Sequence, residues 1–228
     1  MTGKYLSSGN LKIIAAASML TDHIGYCVLY WFTQNEGTLP YSVYEIFRTV
    51  GRLAFPLYCF LLAEGFVHTR NRAKYALRLA LFAVISEIPY DLMCRCTVLS
   101  FDVQNVYFTL LLGFLSMACI HHFAERIHLS VITVALCCAA AHFFNTDYGA
   151  YGVILIVLMF SVRQAPPLIK TIAIAGGLIA KGLPPLSAII PISMYNGEKG
   201  KAPKYFFYIF YPAHIIILCI IRYCIFGF

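Results

Sequence analysis

The sequence predicts an all-α protein, a polytopic bundle of about 8–9 transmembrane spans with one interrupted or re-entrant region near 168–195. Three observations carry that prediction. Hydrophobic residues make up 61% of the chain and charged ones 12%, against roughly a quarter charged in soluble domains. Apolar stretches recur along all 228 residues with only short polar breaks, which leaves no room for a soluble domain, so residues 1–228 read as a single integral-membrane domain. The runs are continuous, not alternating, which excludes a β-barrel.

The start, MTGKYLSSGN, is polar, and the apolar run from Leu11 to Phe32 is too long for the core of a signal peptide, so 11–33 is read as a retained first span. The same length criterion places helices at 46–67, 74–93, 103–123, 129–145, 147–163 and 205–226. Between the last two, Gly176-Gly177, Lys181-Gly182 and Pro184-Pro185 would break a straight helix. That stretch is either one interrupted span or two short segments packed as a hairpin.

Seventeen Lys and Arg against ten acids give a net charge of +7. In a membrane protein such an excess records topology and contact with anionic lipids, so nucleic acid is not expected as a partner. The segment His68-TRNRAKYALR carries Arg70, Arg72, Lys74 and Arg78 with no acid, whereas Glu36 and Glu45 precede the second span. The N-terminus of this multi-pass cell-membrane protein is therefore expected in the cytoplasm. The loop Asn196-GEKGKAPK, with Lys199, Lys201 and Lys204, falls inside if 168–195 holds two segments and outside if it holds one. Inside is preferred. The nine cysteines are scattered without metal-like or redox-like spacing, and His121-His122 and His128 lack accompanying ligands, so no metal is expected.

Asp22 and His23 stand in the middle of the first apolar run, where an unpaired ionisable group costs a few kcal/mol, roughly. At about 1.5 Å per residue, His23 lies about 18 Å from the cytoplasmic face, Arg52 about 22 Å, Glu87 about 20 Å and His214 about 14 Å. Groups at one depth are expected to share one polar site, with Asp91 a turn beyond Glu87. Structural ion pairing, for example Glu87 with Arg52, is the alternative for any one of them. As a set they hold a base, groups to orient it and a charge stabiliser, the parts that acyl transfer uses. The basic segment after the second span suits either a phosphorylated cofactor such as coenzyme A or anchoring to anionic lipid.

An ordered set of blocks, Leu11-KIIAAASMLTDHIG, Gly51-RLAFPLYCFLLAEGFVHTRNR, Ser86-EIPYD, Asn105-VYFTLLLG, Asp147-YGAYG, Tyr195-NGEKG and Tyr205-FFYIFYPAH, resembles the TraX-like membrane proteins. That family is named after a conjugation protein that acetylates the N-terminus of a pilus subunit, and is similar to the type 3 membrane acyltransferases. The resemblance implies a membrane acyltransferase that takes an acetyl group from cytoplasmic acetyl-CoA, with His23 as general base. It also implies that Glu87 or Asp91 orients His23 and that Arg52 or Asn105 offsets charge on the intermediate. Asp22, grouped with these catalytic residues, stands about 100° from His23 around the helix and is expected to brace an adjacent span in preference to forming a dyad with it. The donor's phosphates would meet Arg70, Arg72, Lys74, Arg78, Lys199 and Lys201. Glu64, Asp91, Asn105, Asp147, Tyr211 and His214 would line the substrate pocket, Glu64 standing where the related enzymes carry Ser in a Ser-Gly-Phe stretch. The acceptor is left open among a pilin-like peptide, a glycan, a lipid and a small amine. Proton-coupled transport of a small molecule is the rival reading, since buried carboxylates and histidines also build proton relays; a non-catalytic assembly factor is a third.

Overall fold

Helix α1 (Ser8–Gln34) begins where Ser7 caps its first turn by accepting from the Asn10 amide, 3.3 Å away. The computed structural model describes residues 5–34, 39–201 and 205–227; Glu36 and Lys204 lie outside them. The helices that follow are α2 (Tyr41–His68), α3 (Arg72–Arg95), α4 (Val106–His122), α5 (Ile127–Phe143), α6 (Gly149–Ser161), α7 (Pro167–Ile179), α8 (Pro184–Ser193) and α9 (Phe206–Phe226). Beside these nine helices the described residues hold only isolated bridges, so the all-helical expectation stands. α1, α2 and α9 have both the length and the apolar composition to cross a membrane, while α4 to α8 are shorter apolar helices.

Local chemistry explains most boundaries. Pro56 has no N–H to give the Arg52 carbonyl and its ring crowds that carbonyl, and α2 accordingly breaks into a turn at Arg52–Leu53. Ser18 of α1 covers the break, its hydroxyl donating to the Val50 carbonyl at 2.7 Å. The region 168–195 resolves into two segments, α7 and α8, parted at Gly182, whose φ of +94° suits a residue without a Cβ. α9 ends at Gly227 in the left-handed conformation.

The chain divides into two units. The first comprises Met1–Tyr58, Ile88–Ser100 and Lys181–Phe228. In it α1 packs on the first part of α2 and on α9, with Leu11, Ala15, Cys27 and Ile215 fully buried. Small side chains such as Ala15, Ala16 and Ser18 let the helices approach closely. The loop after α8 lies against the start of α1: the Leu6 amide donates to Met194, Ser8 to Glu198 and Gly9 to Lys199, at 2.7–3.1 Å. Carbonyls of this loop thereby satisfy amides that a helix start leaves open. Lys199 thus lies at the same end of this unit as the start of α1.

The second unit comprises Cys59–Glu87 and Phe101–Ala180. There α4, α5 and α6 pack on one another and α7 on α6, around Phe66, Phe114, Met117, Ile156 and Leu178. Elsewhere large apolar side chains face outward, among them Leu77, Val84, Leu136, Leu168 and Ile217, the surface expected where lipid is the solvent. This is a membrane protein.

Candidate active site

His23 sits two residues before a π-helical segment, Gly25–Leu29, within α1. Such single-turn expansions recur at functional sites. Across the seam with α9, His23 Nδ1 lies 2.7 Å from His214 Nε2, and the two rings are nearly parallel. His214 is 5% exposed, and its Nδ1 lies 2.6 Å from the Phe210 carbonyl oxygen one turn earlier. Tyr211 presents a ring to both histidines at 6.0 Å.

These contacts determine the tautomers. A carbonyl oxygen only accepts, so His214 Nδ1 carries the proton; the other nitrogen of a neutral imidazole is then an acceptor. His214 Nε2 therefore accepts from His23 Nδ1–H. The remaining nitrogen, His23 Nε2, is left with its lone pair and makes no hydrogen bond among the described residues. A run of two hydrogen bonds starting at one backbone carbonyl leaves His23 Nε2 a proton acceptor. Protonation of that nitrogen would disturb neither bond, because Nδ1 donates in both charge states.

Asp22, the neighbour of His23 in sequence, points elsewhere. Its Oδ2 accepts from Arg48 Nη1 at 2.7 Å, and Arg48 also lies over the Tyr26 ring. The two side chains are 18% and 22% exposed. A Cβ on Gly51 would collide with the Asp22 side chain, so α1 and α2 meet where α2 has no side chain. The pair braces α1 against α2. Arg52, grouped with the catalytic residues by depth, is exposed at the break in α2. Arg48, one turn earlier and inside the expected span 46–67, is the arginine that reaches Asp22. Asp91 is 1% exposed, and its Oδ2 accepts from the Ser100 amide at 2.7 Å. Arg222, absent like Arg48 from the residues expected at the site, is buried near the end of α9 and donates to the carbonyls of Leu92 and Met93 at 2.6 and 2.9 Å, closing the last turn of α3.

In the second unit Asn105 is fully buried and caps α4, its Oδ1 accepting from the Tyr107 amide at 3.0 Å. Its Nδ2 donates to the Ala83 carbonyl at 2.7 Å and to Glu87 Oε2. Glu87 thus holds the residue that starts α4. Asp147 joins the same end of this unit through its backbone, whose carbonyl accepts from Thr109 Oγ1 and whose amide donates to Gln104. Glu64 is half-buried in the last turns of α2, where its carbonyl lies 2.9 Å from His68 Nδ1. Arg70 and Lys74 are exposed, while Arg72 and Arg78 are half-buried over the rings of Phe66 and Tyr75. Lys199 and Lys201, in the first unit, are exposed.

Residues 7–222 match the family model described as TraX protein. Among curated relatives, a probable fimbrial assembly protein, FimC of serogroup H1 from Dichelobacter nodosus, is 32% identical, the alignment covering 93% of this chain and 94% of that one. No solved structure matches the chain.

Proposed function

The chain belongs to the TraX family, and from that premise we propose that it is a membrane-embedded acyltransferase in which His23 Nε2 is the general base. The observation that carries this reading is the hydrogen-bonded run from the Phe210 carbonyl through His214 to His23. It supports a base already in the required tautomer. In the proposed step, His23 Nε2 takes the proton of an acceptor amine or hydroxyl as that nitrogen or oxygen attacks the thioester carbonyl of acyl-CoA. The tetrahedral intermediate collapses with cleavage of the carbon–sulfur bond, and the proton on His23 passes to the departing thiolate. His214 touches neither reactant; it positions His23 and fixes its tautomer.

Acetyl-CoA is the proposed donor. Arg70, Arg72, Lys74 and Arg78 of the second unit offer the positive charge that its phosphates require, and Lys199 and Lys201 beside the start of α1 suit phosphates or anionic headgroups. The cationic termini of these elements favour a cytoplasmic N-terminus. The relative's description as a fimbrial assembly protein favours a pilin-like acceptor over a glycan, a lipid or a small amine.

Transfer of a labelled acetyl group from acetyl-CoA tests the reading. Purified protein in lipid should bind acetyl-CoA saturably, and His23→Ala should lose transfer by about 100-fold or more while retaining that binding. No saturable binding, or full activity in His23→Ala, would remove the assignment.

A further inference from the structure

At one end of the second unit, three residues from three different segments gather around two touching aromatic rings. Phe66, in the last turn of α2, is fully buried and meets Phe160, in the last turn of α6, edge to face with centroids 5.3 Å apart. The Arg72 guanidinium, at the start of α3, lies 4.5 Å from the Phe66 centroid. The Arg163 guanidinium, just past α6, lies 4.1 Å from the Phe160 centroid, and its Nη1 donates to the Phe160 carbonyl at 2.7 Å. His121, at the end of α4, stands beside Phe66 and within 3.4 Å of Arg72 Nη1.

None of Arg72, Arg163 and His121 is paired with a carboxylate among the described residues. Two guanidiniums set on adjoining rings repel each other, and the rings alone repay little of that at a half-exposed surface. Arg72 Nε is buried with no hydrogen-bond partner, and so is Arg78 Nε in the next turn but one of α3. A buried N–H without an acceptor is rare enough to require a reason. Stacking on a ring also removes beforehand much of the rotamer freedom that a guanidinium loses when it grips an anion. With Arg72 Nη1 donating to His121 Nδ1, the His121 Nε2–H is left as one more donor.

We propose that Arg72, Arg163 and His121, carried on the Phe66–Phe160 ring pair, form a binding site for a phosphate group. Arg163 and His121 thereby join the basic segment of α3 as ligand-binding residues. A planar guanidinium grips phosphate through two parallel N–H bonds, which a lysine in the same place does not. The phosphate belongs to the acyl-CoA donor, and in that identification alone the proposal rests on the acyltransferase reading; an anionic lipid headgroup offers the same chemistry.

The test uses full-length protein in phosphatidylcholine nanodiscs titrated calorimetrically with adenosine 3′,5′-bisphosphate, the phosphate-bearing end of CoA without its thioester. Wild type should bind saturably and more weakly as salt is raised. Arg163→Gln and Arg72→Gln should each weaken binding by about ten-fold, whereas His23→Ala should leave it unchanged. In a second arm, retention of phosphatidic acid by the same proteins is read by native mass spectrometry. Loss confined to that arm supports the site and identifies its phosphate as a headgroup. Unchanged binding of both probes by Arg163→Gln and Arg72→Gln overturns it. If either glutamine variant unfolds, Arg163→Lys carries the test: it keeps the charge but not the fork, and wild-type affinity for both probes in that variant overturns the proposal as well. A wild type that transfers no acetyl group yet loses phosphate binding in Arg163→Gln keeps this site and removes the acyltransferase.

Discussion

Replacing His214 by alanine should slow transfer without emptying the site. In the wild type, the 2.7 Å contact between His23 Nδ1 and His214 Nε2 is, among the described residues, the hydrogen bond that keeps the His23 proton on Nδ1. With His214→Ala the productive tautomer would hold an unpaired donor where His214 had been only 5% exposed. An unsatisfied buried donor costs about 1–3 kcal/mol. At about 1.36 kcal/mol for each factor of ten in rate, the productive tautomer becomes about 5- to 160-fold scarcer. Because the change falls on the base and not on reactant binding, kcat should fall by that factor with KM for acetyl-CoA little altered. His214→Gln is the decisive companion: its Oε1 can occupy the place of Nε2 and accept the same bond, so it should recover much of the lost rate. Steady-state transfer of labelled acetyl, with thermal unfolding as a folding control, measures both variants. Wild-type kcat in His214→Ala would refute the reasoning, and so would a folded His214→Gln no faster than His214→Ala.

Two further predictions concern the elements that support each unit. Asn105→Ala removes the cap of α4 and the side-chain amide that donates to Glu87, so thermal unfolding in lipid should show a loss of about 1–3 kcal/mol; an unchanged transition would deny Asn105 that structural role. Gly51→Val places side-chain atoms where Asp22 lies and should cost about 1–3 kcal/mol, a loss that Asp22→Ala should partly relieve in the double variant. Strict additivity of the two substitutions would argue against the close approach of α1 and α2.

Much of the fold was legible because lipid imposes a simple rule: a continuous apolar run becomes a helix. The blocks 11–32 and 205–226 did so, and the Gly182 and Pro184-Pro185 signals marked a break in 168–195, left open between one interrupted span and two segments, where α7 and α8 are separate helices. Depth counting brought His23 and His214 to similar levels, and the structure sets them in contact. Other features depend on which face meets which neighbour, and a count of rises does not contain that. Arg52 seemed the arginine at the right depth, but Pro56 breaks α2 beside it and leaves it exposed, while Arg48 one turn earlier reaches Asp22. The expected second span started at 46 whereas the helix starts at Tyr41, so Arg48 lies about two turns inside it. Glu87 is expected on the wall of the polar site from its position inside an apolar run; its carboxylate accepts from Asn105, the residue that caps α4. The π-helical turn after His23 carries no composition signal at all. Nor does the ring pair beneath Arg72 and Arg163, which comes from helices nearly 100 residues apart in sequence.

Nitrogen-15 solid-state NMR of the protein in lipid, with its histidines labelled and His23 assigned through the His23→Gln variant, observes the central feature directly. The account predicts that His23 is protonated on Nδ1 and bare on Nε2 at neutral pH, with a hydrogen-bond correlation from that Nδ1 to His214 Nε2. A proton resident on His23 Nε2, with Nδ1 bare, would contradict it.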